Sequence, residues 1–187
     1  HRFDQNIDGM HIALVGDLKY GRTVHSLSKL LCHYKNVKFS MVAPDGLQKP
    51  TSILDAVENA GHKIELVNKM EGNLAADIVY QTRIQEERFP SQEEANKYRG
   101  GFRISQSIYS AHCKPNSVLM HPLPRDSRLE ANELDNDLNS NDNLAIFRQV
   151  QNGVLIRMAL FALTLGVENK VDKYEVELPW FSRKRDS

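Results

Sequence analysis

Val15-Gly16-Asp17-Leu18-Lys19-Tyr20-Gly21-Arg22-Thr23 is the stretch on which the fold of this chain turns. Upstream lies the short apolar run His11-Ile12-Ala13-Leu14. Downstream, Val24 to Tyr34 has helical spacing, with Val24, Leu27, Leu30 and Leu31 on one face. A strand that ends in a glycine-flanked polar turn and opens directly into a helix is a building unit of an open α/β sheet. In such sheets ligands bind in the crevice beyond the carboxyl ends of the strands. Gly16 and Gly21 allow a tight turn, while Lys19 and Arg22 add positive charge beside a helix N-terminus that already attracts anions. Taken alone, the stretch fits a solvated connection as well as it fits an anion site.

Strand and helix patterns continue to alternate. Val37 to Val42 alternates as a strand and runs into the turn residues Ala43-Pro44-Asp45-Gly46. Ile53 to Ala60 follows a Pro-Thr-Ser start and is closed by Gly61, so it predicts a helix; Lys63 to Val67 predicts a third strand. Asp77-Ile78-Val79-Tyr80 is short and apolar, as a buried strand should be. Ser91, with Glu94 three residues on, has the form of a helix cap, and Gly100-Gly101 breaks that helix. Ser105 to His112 then predicts a short helix and Ser117 to Met120 a fifth strand. From Asp126 to Asn143 the composition is acidic and rich in Asn, which predicts a surface loop with a short helix at most. Ala145 to Gly166 predicts a long helix, apolar on most sides, that wants cover on more than one face. The tail from Glu168, ending Arg183-Lys184-Arg185 before Asp186 and Ser187, reads as a solvated or partner-packed extension. The expected fold is α/β: a Rossmann-like, doubly wound parallel sheet of about five strands, helices on both faces, and a long C-terminal helix.

Composition narrows the function classes. The chain has 187 residues, about one domain, with 24 basic and 24 acidic side chains and no formal net charge. That balance argues against nucleic acid as a partner, because broad electrostatic binding needs a basic face. No apolar run reaches the roughly 18 residues of a membrane span, and the longest, Val154 to Val167, contains Arg157. With no signal peptide visible, the expectation is a cytoplasmic protein away from membranes. Cys32 and Cys113, the two cysteines, read as free thiols. His25, His33, His62 and His112 are isolated and read as surface or packing residues.

Parallel strands deliver all their βα loops to one edge of the sheet. The loops after the first, fourth and fifth strands are Asp17 to Thr23, Thr82 to Arg88, and His121-Pro122-Leu123-Pro124-Arg125. Together they carry Lys19, Arg22, Arg83, Gln85, Arg88, His121 and Arg125, a cationic and amide set suited to an anionic ligand. Arginine holds carboxylates bidentately, so a dicarboxylate would need two such forks, and Arg22 and Arg83 could supply them from separate loops. Two prolines stiffen the third loop and leave its carbonyls free to face a ligand. Rival motifs fail: the glycines of the first loop are too far apart for a dinucleotide fingerprint, and Gly21-Arg22-Thr23 lacks the lysine of a P-loop.

These segments, with Phe147-Arg148-Gln149-Val150-Gln151-Asn152-Gly153 leading into Arg157-Met158-Ala159-Leu160, resemble the aspartate carbamoyltransferases in order and spacing from about Asp8 to Gly166. The ornithine-specific sibling carries Ser-Met-Gly after the fourth strand and His-Cys-Leu-Pro after the fifth; this chain has Thr-Arg-Ile-Gln and His-Pro-Leu-Pro. The resemblance implies transfer of the carbamoyl group of carbamoyl phosphate to the α-amine of L-aspartate, in pyrimidine synthesis. It implies that Arg22 holds the α-carboxylate of aspartate, and that Arg83, assisted by Gln85, holds the β-carboxylate. The backbone of Leu123 and Pro124 would face the carbamoyl group of carbamoyl phosphate. Lys19, Tyr20, Arg88, His121 and Arg125 would support these contacts from behind or across a closing interface. No metal and no organic cofactor is implied, and the family's oligomer implies a homotrimer, with regulatory chains a further option. The Ser-Thr-Arg-Thr and His-Pro-x-Gln motifs of the family's carbamoyl-phosphate half are not in this sequence. Residues 1–166 are therefore expected to be an aspartate-binding domain cut from a carbamoyl-phosphate domain, 167–187 a C-terminal extension, and the piece inactive by itself, with no catalytic group assigned in this half. The rival reading is a non-catalytic dicarboxylate-binding or regulatory homologue on the same fold.

Overall fold

The structure is a computed structural model that describes residues 6–126 and 128–170. Five strands, β1 (His11–Val15), β2 (Lys38–Val42), β3 (Lys63–Val67), β4 (Ile78–Gln81) and β5 (Val118–Met120), form one sheet in the order β3-β2-β1-β4-β5. Every pairing is parallel, with Ile12 opposite Phe39 on one side and Ile78 on the other. The connections carry α1 (Arg22–Leu31), α2 (Thr51–Asn59), α3 (Gln92–Asn96) and α4 (Gln106–His112), and α5 (Ile146–Leu165) follows β5. The expected α/β fold is therefore the observed one. Serine caps start α3 and α4, where Ser91 accepts from the N–H of Glu94 and Ser105 from that of Ile108.

Alternation along the strands sorts the core into two layers. Ile12, Leu14, Phe39 and Met41 join Val24 and Leu31 of α1 and Val57 of α2. Ala13, Val15, Val79 and Leu119 point the other way, toward Tyr109 of α4 and the apolar residues Leu134, Leu138 and Leu144. Successive residues of one strand thus feed opposite faces, as a sheet covered on both sides requires.

The acidic segment departs from its expected surface role. Ala131, Asn132, Glu133, Leu134 and Leu138 are all buried. The backbone explains why. Ile104 donates to Glu133 O and accepts from Asp135 N, while Leu119 of β5 donates to Asn143 O and accepts from Ala145 N. The segment thereby supplies hydrogen-bond partners to the outer side of β5, which would otherwise be an open sheet edge. A single 3-10 turn, Asn136–Ser140, is its only helix-like piece among the described residues.

Compactness divides the chain after Ile146. The first unit holds the sheet; the second begins at Phe147 and, among the described residues, consists mainly of α5. Phe147, Val154, Leu155, Met158 and Phe161 of α5 are all exposed. No described helix is long and apolar enough to cross a membrane. The basic end of the tail, Arg183-Lys184-Arg185, lies outside the described residues.

Candidate functional site

The strand order reverses direction between β1 and β4, and the crevice at that reversal is where open α/β sheets hold ligands. Here the first two loops meet closely. Gly16 adopts φ +105°, and a Cβ on it would sit 2.3 Å from the carbonyl oxygen of Thr82. Gly21 has an ordinary φ but no room either, since a Cβ there would lie 2.5 Å from Asp17 O. Both glycines are needed for close approach, and Gly16 for its conformation as well.

Asp17 joins the same two loops through its side chain. It is fully buried; Oδ1 accepts from the N–H of Tyr20 at 2.8 Å and Oδ2 from the N–H of Gln85 at 3.0 Å. Burial pushes its carboxyl above the usual range, against the pull of the N–H groups of Tyr20, Gln85 and Lys19. Thr82 adds a hydroxyl bond to Val15 O. These contacts fix where Arg83 and Gln85 stand relative to the start of α1.

A cleft of about 160 Å³ opens there, lined by Arg22, Thr23, Arg83, Gln85, Arg88, His121, Pro122, Leu123 and Pro124. All three predicted loops contribute, and no carboxylate is among the lining residues. Arg22 is the first residue of α1, where Gly21 supplies no side-chain cap, and its guanidinium makes no ion pair among the described residues. Arg83 is engaged: Nη2 lies 2.6 Å from Glu87 Oε1 and Nη1 3.2 Å from Oε2. Glu87 thus takes the end of the fork, and an incoming carboxylate must displace it or use the Nε–H edge. Arg88 donates to Tyr20 O at 3.3 Å.

The third wall is built around His121, whose Nδ1 accepts the N–H of Leu123 at 2.9 Å. The ring proton therefore sits on Nε2, which lies 2.8 Å from Glu133 Oε1 with both side chains buried. Glu133 also accepts the N–H of Asp126. Leu123 has φ +57°, and its bond to Pro124 is cis. With the Leu123 N–H given to His121 and none on Pro122 or Pro124, the Pro122–Pro124 stretch has no free backbone donor, so what its backbone can offer a ligand is carbonyl oxygen.

The remaining expected residues stand back from the cleft. Lys19 reaches over the Tyr20 ring at 5.0 Å, and Tyr20 packs edge-on against Phe89. Arg125 donates to Asn139. The sequence places Thr23, Pro122 and Asp17 inside the site loops but gives Thr23 and Asp17 no role of their own, and it carries no sign of Glu133 behind the third loop. Elsewhere, a wider groove of about 420 Å³ near Asp45, Gln48, Lys69 and Glu71 has mixed charge and no arginine. His25 bonds Leu18 O, and His62 accepts the N–H of Val37 beside Phe39, so both serve packing. Cys32 and Cys113 are free thiols.

Comparison with known proteins bears on this geometry. The family model described as aspartate/ornithine carbamoyltransferase, Asp/Orn binding domain, matches residues 8–164. The aspartate carbamoyltransferase catalytic subunit of Cellvibrio japonicus is 58% identical over 182 residues, which are 97% of this chain and 54% of that protein. Among solved structures, the catalytic subunit of M. jannaschii aspartate transcarbamoylase superposes with a TM-score of 0.73 at 34% identity, covering 87% of this chain and 51% of that one. Aspartate transcarbamoylase from Trypanosoma cruzi in complex with carbamoyl phosphate and aspartate gives 0.73 at 34% identity, covering 83% and 50%. The chain thus spans about half the length of the relatives it matches.

Proposed function

We propose that this chain, which belongs to the aspartate/ornithine carbamoyltransferase family as its Asp/Orn-binding domain, holds L-aspartate and presents its α-amine to carbamoyl phosphate carried by the other half of a complete catalytic chain. The observation that carries the reading is one cleft in which Arg22, Arg83 and Arg88 from two loops meet the Pro122–Pro124 stretch of a third, which has no free backbone donor. A lining of cations without carboxylates suits a dicarboxylic amino acid, whereas the second ammonium of ornithine would meet Arg22, Arg83 and Arg88 with no carboxylate among the lining residues. In this reading Arg22 takes the α-carboxylate, and Arg83 with Gln85 takes the β-carboxylate. The carbonyls of the Leu123–Pro124 segment then accept N–H bonds from the attacking amine and the carbamoyl NH2.

The chemistry asked of these residues is orientation. A neutral amine attacks the carbamoyl carbon, the N–C bond forms, and the proton lost by the amine passes to the departing phosphate oxygen. The C–O bond to phosphorus breaks, and inorganic phosphate leaves with the electron pair. Two carboxylate grips fix the amine against rotation, which converts binding energy into alignment. Charge on the tetrahedral intermediate needs donors that the backbone of the Pro122–Pro124 stretch does not supply, so they fall to the other half.

The proposal includes residues 1–166 as the aspartate-binding domain, 167–187 as an extension, and a cytoplasmic homotrimer. The exposed apolar side chains of α5 support a larger assembly, because such a surface is stable only when another segment or subunit covers it. Equilibrium titration of the full-length catalytic chain with succinate and with a phosphonacetyl-aspartate bisubstrate analogue tests the site. Arg83→Ala is expected to weaken both ligands by about 2 kcal/mol or more. Equal binding by wild type and variant, or no binding by wild type, ends the assignment; turnover separates an enzyme from a binding module.

A further inference from the structure

Glu86 follows Gln85 directly, and its carboxylate is the most heavily used in the loop. Arg99 grips it bidentately, Nε to Oε1 at 2.7 Å and Nη2 to Oε2 at 2.8 Å. Gln92 adds a bond to Oε2. Arg128 approaches from the acidic segment, Nη2 to Oε1 at 2.9 Å and Nη1 to Oε2 at 3.3 Å. Hydrogen bonds from Arg99, Arg128 and Gln92 outweigh burial and hold this carboxyl down to about 2.

Arg128 has a second carboxylate. Its Nη2 lies 2.6 Å from Asp126 Oδ2, and its Nε donates to Asp126 Oδ1 at 3.0 Å. The N–H of Asp126 is in turn held by Glu133, the Oε1 of Glu133 lies 2.8 Å from His121 Nε2, and His121 Nδ1 accepts the N–H of Leu123. A continuous polar path therefore runs from the loop that carries Arg83 and Gln85 to the loop that carries Leu123 and Pro124. Arg128 is the link in that path that joins the two sides by side-chain contacts alone.

We propose that Arg128 is a positioning residue for this site: by gripping Glu86 and Asp126 at once, it sets the spacing between the wall that holds the substrate's β-carboxylate and the wall that faces its amine. The inference rests on the aspartate reading of the cleft. Arg128 is not among the residues that line the cleft, and its guanidinium bonds Glu86 and Asp126, so removing it takes away no ligand contact and alters only where two of them stand. A planar guanidinium is suited to the task because its two edges can serve two carboxylates simultaneously.

The test is steady-state turnover by the full-length catalytic chain, varying aspartate and carbamoyl phosphate separately, for wild type, Arg128→Ala, Glu86→Gln and the double variant. Arg128 is 44% exposed and Glu86 13%, so the pair is partly solvated and a moderate effect is expected. Arg128→Ala should raise KM for aspartate about three- to tenfold. KM for carbamoyl phosphate should stay within about twofold, because its phosphate is held by the other half of the chain, while kcat should fall with the alignment of the amine. Glu86→Gln should be worse, since it also weakens the hold of Arg99, and Arg128→Ala should add nothing in that background. An unchanged KM for aspartate in an active Arg128→Ala enzyme overturns the proposal alone, as does full additivity with Glu86→Gln. Parallel movement of both KM values with a fall in Tm overturns it in favour of a structural role. An inert wild type overturns the aspartate reading itself, and the proposal with it.

Discussion

Lys49 is 4% exposed, and the hydrogen bonds of its ammonium go to Val24 O and Ser28 Oγ of α1, neither of them a carboxylate. Burial lowers its amine from the usual 10.5 to about 7. The unfolded chain therefore binds a proton that the folded chain lacks between about pH 7 and 10.5. Stability should rise with pH across that window, by up to about 1.4 kcal/mol per unit, and the gain should be lost as pH falls back to 7. Below pH 7 both states are protonated and the penalty is constant. Lys49→Met should remove the slope and raise the melting temperature at neutral pH, because Ser28 Oγ already bonds Val24 O and neither group is stranded. Denaturant titrations of both chains at pH 6.5, 8 and 9.5 measure it; parallel curves would mean that Lys49 stays charged when buried. At this same scale the gathering of Arg22, Arg83, Gln85, Leu123 and Pro124 at one cleft is legible in the sequence, because each lies in a loop leaving a strand or opens the helix that follows one. Asp17 and Glu133 were not assigned. Their partners Gln85 and His121 stand 68 and 12 residues away, and no local periodicity encodes a contact of that kind.

Among the elements, α1, α2, α4 and all five strands follow from apolar spacing, serine caps and glycine stops, with ends displaced by a few residues. The segment after Arg125 does not. Its charge and Asn content read as surface, yet its backbone borders β5 and its leucines fill one core layer. Composition reports what a segment exposes on average; it does not report that Leu134 and Leu138 face inward beside a buried Glu133 while Asp137 faces out. Leu138→Ala should therefore cost about 2–5 kcal/mol in thermal or denaturant unfolding, the range for a buried leucine rather than a loop residue. A change within about 0.5 kcal/mol would return the segment to the surface. The segment also supplies Glu133 and Arg128, so the element that composition marks as least structured supports two walls of the cleft.

For the whole molecule, one cleft holds half of the proposed chemistry, and the relatives are about twice as long. The 187 residues alone should show no carbamoyl transfer, whereas their fusion behind the amino-terminal half of the Cellvibrio japonicus relative should turn over carbamoyl phosphate and aspartate. Phosphate release assays on both proteins decide it: turnover by the isolated chain, or none by a folded fusion, contradicts the division of labour. Strand–helix alternation and the fixed hand of parallel crossovers meant that the sequence by itself determined a parallel sheet, its two-sided core and the edge at which three cationic loops emerge. Those are consequences of local periodicity, which a chain carries with it everywhere. Only the tertiary structure decided that Gly16 lets the first two loops touch, that Glu87 already occupies the fork of Arg83, and that Glu133 and Arg128 brace the third wall. Such contacts depend on where separate segments end in space, and local spacing carries no record of that.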